Sequence, residues 1–347
     1  MNHWPTSLES SWFVVARSRQ VRGKPLAVKL LDRPLVIART TKGRLFALDD
    51  CCPHRHVPLS AGCLTASGLQ CAYHGWTFDA DGRCVAVPGL APQTPLPLAR
   101  VGSASVMEFD SLVWVRLDGE GPKEIQSNFL PAFMHRSAAQ AQRFVWQSTW
   151  KGRAVDALEN FLDAQHTHFV HRGLVRSPRH RRTAEATVSR SGGSLQVDYH
   201  GHADQSGLLY RLFESPREIE RAYFDAAAAG TAQLEYRYRN GSALYFTLHF
   251  SPIGESLTRV HGTLHVENRW APRWGISLFA WPFLRRVLRQ DQAIVEAQAK
   301  NRQRFRREEG ISTELDLVRP ALDAVWTSRT SRLSDDHECV RQVRMLL

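Results

Sequence analysis

The sequence predicts an α+β protein, with a small β-domain first and then a strand-rich region flanked by helical segments, in two domains or in one large domain with an insertion. Three observations carry that prediction. Residues 11–50 hold four short Val/Leu/Phe-rich runs (SWFVVA, PLAVKLL, RPLVIART, GRLFALDD) parted by Gly, Lys-Gly and Asp-Arg turn signals. Residues 188–267 hold further runs in which apolar and polar residues alternate, with Asn240-Gly241 as a hairpin signal. Two other segments have helical spacing instead: Val155, Leu158 and Leu162, and later Leu284, Leu288, Ile294, Val295 and Ala299.

In the first domain, Asp81-Gly82 between apolar flanks predicts a hairpin, and SLVWVRLDG from Ser111 one more strand. The Pro-rich passage VPGLAPQTPLPLA reads as an ordered loop packed on that domain. The polar stretch GEGPKEIQSN reads as the link out of it, which sets the expected domains at 1–125 and 126–347. In the second domain, GLLYRLFESPREIERAYFDAAAAG reads as an insertion between strands, the expected source of a pocket wall or lid.

Composition narrows the function classes. At 347 residues, 43% hydrophobic and 23% charged, the chain is long and apolar enough for two cores and is not disordered. Six cysteines, four of them between residues 51 and 71, do not read as a disulfide framework. They fit a reducing cytoplasm that keeps thiols for metal. MNHWPTSLESSWFVV carries Glu9 and lacks a basic region with an apolar core, so no signal peptide is expected. The longest apolar stretch, Ile276 to Leu284, is too short to span a bilayer, and no membrane anchor is expected. The net charge of +11 is scattered, with runs at Arg176–Arg182 and Arg302–Arg307. No nucleic-acid module accompanies it, so the charge reads as solvated surface or as a docking face for an acidic partner.

The chemistry concentrates in Cys51 to Trp76. Cys52-Pro53-His54 and Cys71-Ala72-Tyr73-His74 are separated by sixteen residues. Two cysteines and two histidines in paired loops suit either one structural zinc or a [2Fe–2S] centre in which two histidines replace two cysteines on one iron. Cys51 competes with Cys52, since Cys51 to His54 is also C-x-x-H. Cys63 and Cys84 have no ligand-type neighbour and read as small buried hydrophobes. CPHRHVPLSAG and CAYHGWTFDADGRC resemble the cluster loops of Rieske non-haem iron oxygenases. The resemblance implies a Rieske [2Fe–2S] cluster with Cys52 and Cys71 on one iron and His54 and His74 on the other.

Further on, VDALENFLDAQHTHFVH begins as an amphipathic helix. Asp163 and His166 share a face, whereas His171, five residues beyond His166, does not. Both histidines bind one metal only if the chain bends near Thr167 to Val170, where Thr167, Phe169 and Val170 are weak helix formers. Two histidines and a carboxylate form a facial triad for Fe(II) with open positions for O₂. By spacing alone this pattern is weak in a chain of fifteen histidines. NFLDAQHTHFVH, however, resembles the mononuclear-iron motif of the same family. That resemblance makes His166 and His171 iron ligands and Asp163 the carboxylate linking a neighbouring subunit's cluster to the iron. His168 then faces away, and Glu159 and Asn160 support the site. The third ligand is carried to Asp291 on the late helix, with Glu296 as substitute.

The resemblance extends over nearly the whole chain, closest to the branch that includes vanillate, dicamba and methylxanthine demethylases. It implies a Rieske β-domain before a helix-grip-like catalytic domain, and a homotrimer. Electrons from NAD(P)H would arrive through a reductase or ferredoxin, and O₂ would be the co-substrate. The expected reaction is hydroxylation or oxidative O- or N-demethylation of a small aromatic, which the surplus of arginine suggests is anionic. A ring-hydroxylating cis-dioxygenase, a Rieske electron carrier without oxygenase activity and a zinc-stabilised binding protein are the alternatives.

Overall fold

A computed structural model describes residues 4–118, 130–135, 142–176, 179, 181–201, 217–268, 272–307, 310–327 and 339–347. The expected link at 119–128 and the first half of the expected insertion lie outside these residues. The chain divides into two compact units, one built on Leu8–Leu130 with Ser251–Gly254, the other on Pro131–Phe250 with Glu255–Leu347.

The first unit contains two antiparallel sheets. The larger has the order β1-β10-β9-β4-β3-β2, from β1 (Phe13–Arg17), β2 (Leu26–Leu30), β3 (Arg33–Arg39), β4 (Leu45–Asp49), β9 (Ser103–Phe109) and β10 (Leu112–Arg116). The four apolar runs of the N-terminal sequence become β1 to β4, as alternation and turn signals require. The smaller sheet, β5-β6-β7-β8, is made of β5 (Cys63–Leu64), β6 (Leu69–Gln70), β7 (Thr77–Phe78) and β8 (Cys84–Ala86). A core of Val36, Phe46, Leu48, Leu59, Leu69 and Phe78 encloses Cys52 and Cys71. The Pro-rich loop departs from expectation. Residues 88–96 and Leu98 are exposed, and Leu98 makes no cover for the domain. Proline here limits the loop's conformations without burying it.

The second unit is organised by an eight-stranded sheet, β11-β17-β16-β15-β14-β13-β12-β18. Its strands are β11 (Gln142–Trp150), β12 (Thr183–Ser191), β13 (Ser194–His200), β14 (Arg217–Asp225), β15 (Thr231–Tyr238), β16 (Ala243–Gly254), β17 (Leu257–Glu267) and β18 (Cys339–Leu346). Residues 217–225 of the expected insertion are therefore β14, registered between β13 and β15 through Val197↔Ala222 and Ala222↔Leu234. The helices of eight residues or more among the described residues are α1 (Ala154–Leu162), α2 (Trp281–Phe305) and α3 (Arg319–Trp326). A π-helical turn, Ile276–Ala280, leads into α2.

The even-numbered residues of the central strands pack with the helical segment: Leu264, Val266, Phe144, Leu244 and Phe246 meet Ile276 and Leu284. Trp146 joins them across from Gly262, where any Cβ would strike the indole at 2.2 Å, so glycine is what admits the ring. On α2, Val295 is buried, whereas Ile294, expected on the same side, is 46% exposed. One residue is a 100° step around a helix, enough to separate them. None of the described helices is long and apolar enough to cross a membrane.

Candidate metal centres

The first ligand loop follows β4 and the second joins β6 to β7, and the same pair of backbone hydrogen bonds closes each. Cys52 N–H donates to Val57 O at 2.9 Å and His56 N–H to Cys52 O at 2.8 Å; Cys71 N–H donates to Trp76 O at 2.8 Å and Gly75 N–H to Cys71 O at 3.1 Å. The fourth residue after each cysteine takes the left-handed backbone, His56 at φ 60° and Gly75 at φ 70°. Glycine is at ease there, and histidine is among the side chains that tolerate it. This matched turn is invisible in the motif letters.

Both loops bury the cysteine and leave the histidine outside. Cys52 is 1% and Cys71 3% exposed, while His54 is half-buried and His74 exposed. Burial and then the neighbouring Cys71 thiol push the Cys52 thiol up. The His54 ring stacks on Trp76 at 4.7 Å and stands 4.6 Å from the His74 ring. Desolvation, then the His74 ring, lowers the His54 pKa and so favours the neutral imidazole that a metal requires. Paired sulfurs in the core and paired imidazoles at the rim fit a cluster with one sulfur-ligated and one nitrogen-ligated iron. Cys51 is exposed, and so, against expectation, is Cys63. It opens the edge strand β5, where one side of the chain faces solvent, and contacts Gln70. Cys84 is half-buried.

The second group assembles where α1 ends. Asp163 takes extended backbone (φ −77°, ψ 124°), and residues Gln165–His168 form a 3₁₀ turn. The change of pitch expected near Thr167–Val170 is this 3₁₀ turn and the turn that follows it at 169–171, and the break from the α-helix itself comes earlier, at Asp163 and Ala164. Its cause is the Asp163 carboxylate, which accepts from Gln165 N–H at 2.8 Å and His166 N–H at 3.0 Å and caps the new turn.

His166, His171 and Asp291 then converge. The Nε2 atoms of the two histidines are 3.2 Å apart, and Asp291 Oδ1 lies 3.3 Å from one and 2.9 Å from the other. Nitrogen and oxygen donors sit about 2.1 Å from a divalent transition metal, so two donors at a right angle are about 3 Å apart. The three edges fit one face of an octahedral iron site. Burial opposes charge on Asp291, but His166 and His171 outweigh it and hold the carboxyl down at about 2. Burial likewise opposes charge on His166, yet Asp163 and Asp291 raise it to about 9. The field at this point favours a cation on the imidazole, whether proton or metal ion.

Three further residues frame the triad. Asn160 Nδ2 donates to Asp291 Oδ1 at 3.0 Å, as a supporting residue would. Gln290 Oε1, which the sequence did not single out, lies 3.0 Å from His171 Nδ1. Arg176, read as part of a solvated basic run, is 3% exposed, donates to Ala164 O beside Asp163 and grips both oxygens of Glu220. A buried carboxylate partner is what makes that burial tolerable. Glu159 pairs with Arg319 and Glu296 accepts from Lys151 N–H and Gln292, so neither reaches the triad. His168 is buried and lies outside the convergent group. His166, His171 and Asp291 are among the residues that line a cavity of about 260 Å³. Leu234, Tyr236, Leu244 and Phe246 from the sheet and Leu284 and Leu288 from α2 make it mainly apolar, with Arg217 and Glu220 on the polar side.

Residues 11–104 match the Rieske [2Fe-2S] domain family, and residues 150–321 match the vanillate O-demethylase oxygenase C-terminal domain family. Methylxanthine N1-demethylase of Pseudomonas putida is 34% identical over 176 residues, 50% of this chain and 49% of that protein. The oxygenase component of dicamba O-demethylase from Stenotrophomonas maltophilia is 42% identical over 110 residues, 32% of each chain. The chain thus spans half or less of these two relatives in sequence. In fold, the P. putida NdmA structure with caffeine superposes with a TM-score of 0.76 over 92% of this chain and 90% of that one, at 24% identity. Dicamba monooxygenase bound to 3,6-dichlorosalicylic acid gives 0.75 over 91% and 95%, at 22% identity. Residues 11–104 thus belong to the Rieske [2Fe-2S] domain family and residues 150–321 to the vanillate O-demethylase oxygenase C-terminal domain family, on a fold shared with these two structures.

Proposed function

We propose that this chain is the terminal oxygenase component of a monooxygenase that hydroxylates or oxidatively demethylates a small aromatic compound. The observation that carries the reading is a mainly apolar cavity whose lining includes three convergent metal donors. Residues 1–125 form the cluster domain and 126–347 the catalytic domain. Cys52, His54, Cys71 and His74 hold the [2Fe–2S] cluster, and His166, His171 and Asp291 hold Fe(II). The iron, when bound, supplies O₂ activation. The residues do the rest: the triad would hold the metal at the cavity, while Tyr236, Phe246 and Leu288 in its lining hold a planar substrate and exclude water. Asp163, with one edge toward His166 (3.7 Å to Nδ1) and 34% of its side chain accessible, is placed to relay electrons from the cluster of a neighbouring subunit in a homotrimer.

For an O- or N-methyl substrate the balance is one O₂, two electrons and two protons in, with the demethylated compound, formaldehyde and water out. The electrons come from NAD(P)H through a reductase or ferredoxin, in the cytoplasm. The names of the relatives, a methylxanthine N-demethylase and a dicamba O-demethylase, support this choice of chemistry. Anaerobic purification followed by iron, sulfide and formaldehyde assays tests it. About three irons and two sulfides per chain are expected, with formaldehyde released from a panel of methoxybenzoates and N-methylpurines under a reductase couple. A cis-diol product would move the chain to the dioxygenases. Two irons without turnover would leave an electron carrier, and zinc without sulfide would overturn the reading.

A further inference from the structure

The two imidazoles of the triad have different neighbours at the nitrogen that does not face the metal position. His166 Nδ1 faces Asp163 Oδ2 at 3.7 Å, beyond hydrogen-bond length, while the two Asp163 oxygens accept the backbone N–H groups of Gln165 and His166. His171 Nδ1 meets the side-chain oxygen of Gln290 at 3.0 Å, within it. Gln290 and Asp291 are consecutive on α2, so one helix contacts both edges of the His171 ring. Asp291 Oδ1 lies against Nε2 and Gln290 Oε1 against Nδ1. His171 is itself 2% exposed and stands on a turn outside any regular element, where the backbone alone does not fix the ring.

We infer that Gln290 is the positioning residue for His171, accepting its Nδ1–H and thereby presenting Nε2 to the metal as a neutral imidazole. The chemistry decides the direction of the bond. An imidazole that binds metal through Nε2 carries its hydrogen on Nδ1, and only the amide oxygen of Gln290 can accept it. Metal-bound histidines are generally oriented in this way by a carboxylate, carbonyl or water, and loss of the acceptor weakens metal binding by about 10- to 100-fold. Here the acceptor is a neutral amide. It fixes the tautomer without adding negative charge to a site that already holds Asp291 and Asp163.

The inference rests on reading His171 as a metal ligand, and the test separates the two. Protein with its cluster intact is stripped of mononuclear iron and titrated with Co(II), with the cluster's visible spectrum and thermal melting as folding controls. Gln290→Leu is expected to bind Co(II) about 10- to 100-fold more weakly. Gln290→Asn, one methylene too short to reach Nδ1, should weaken binding to the same degree, whereas Gln290→Glu restores the acceptor and recovers it. His171→Ala should abolish tight binding. If both Gln290→Leu and Gln290→Asn bind as wild type while His171→Ala does not, the positioning role is overturned and the site survives. If His171→Ala binds as wild type, the site reading fails first.

Discussion

At the residue scale, Asp291 illustrates how much a triad depends on one carboxylate. It is 7% exposed, and it is ionised because two imidazoles face it, which outweighs the cost of burial. Glu296, one and a half turns further along α2, differs in surroundings and not in chemistry, accepting from Lys151 N–H and Gln292. Asp291→Ala should therefore leave about two irons per chain with the cluster spectrum intact, and Glu296→Ala should keep about three. Iron analysis beside the visible spectrum reads both; equal iron in the two variants would remove Asp291 from the site. The convergence of His166, His171 and Asp291 was legible through the resemblance of their motifs, since spacing alone says little among fifteen histidines. Gln290 was not, since an amide beside an aspartate on a helix looks like any surface residue until the fold brings His171 to it across 119 positions. Arg176 was misread for a related reason. Its neighbours in sequence are basic, but its neighbour in space is Glu220.

At the scale of elements, local signals located strands where alternation was clean and failed where pairing was distant. β18 exists because it pairs with β12 along eight residues, from Thr183↔Leu346 to Arg190↔Cys339, and nothing in a tail sequence announces so remote a partner. β14 was hidden by an apolar lead-in and by charged residues that the sheet satisfies, such as Glu220. The sheet's odd face carries a second feature that alternation could not reveal. His249, His261 and His265 are buried there, with Arg143 paired to His265 in register. Burial, and then Arg143, lowers His265 to about 4; burial, and then His261, lowers His249 well below its usual value. With the folded pKa below the ordinary 6.5, the unfolded chain takes up protons that the folded one refuses as pH falls from 6.5 toward 4. Stability is thus complete above about 6.5 and is lost on acidification across that window. Thermal midpoints from pH 7 to pH 5 should fall more steeply for the wild type than for His265→Gln. Parallel slopes would show that this histidine does not carry the acid sensitivity.

At the scale of the molecule, the surplus positive charge has no counterpart in the catalytic chemistry. The formal charge is +11, and the arginines at the cavity are paired with Glu220 or Asp198. The charge that remains belongs to the surface, where its reach is set by salt: about 10 Å at 0.1 M ionic strength and about 3 Å at 1 M. A field of this kind raises encounter rates with an oppositely charged protein by roughly 10- to 1,000-fold at low salt, while adding little to the affinity of the final complex. An acidic reductase or ferredoxin is the partner it suits. The rate of cluster reduction by such a donor should fall at least about tenfold between 10 mM and 0.5 M NaCl. Reduction by dithionite in the same buffers controls for any salt effect on the cluster itself, and the KM for substrate, set inside a mainly apolar cavity, should change little. A donor rate that ignores salt while the dithionite control also holds steady would mean that the basic surface serves solubility alone, and that docking is steered by shape and apolar contact.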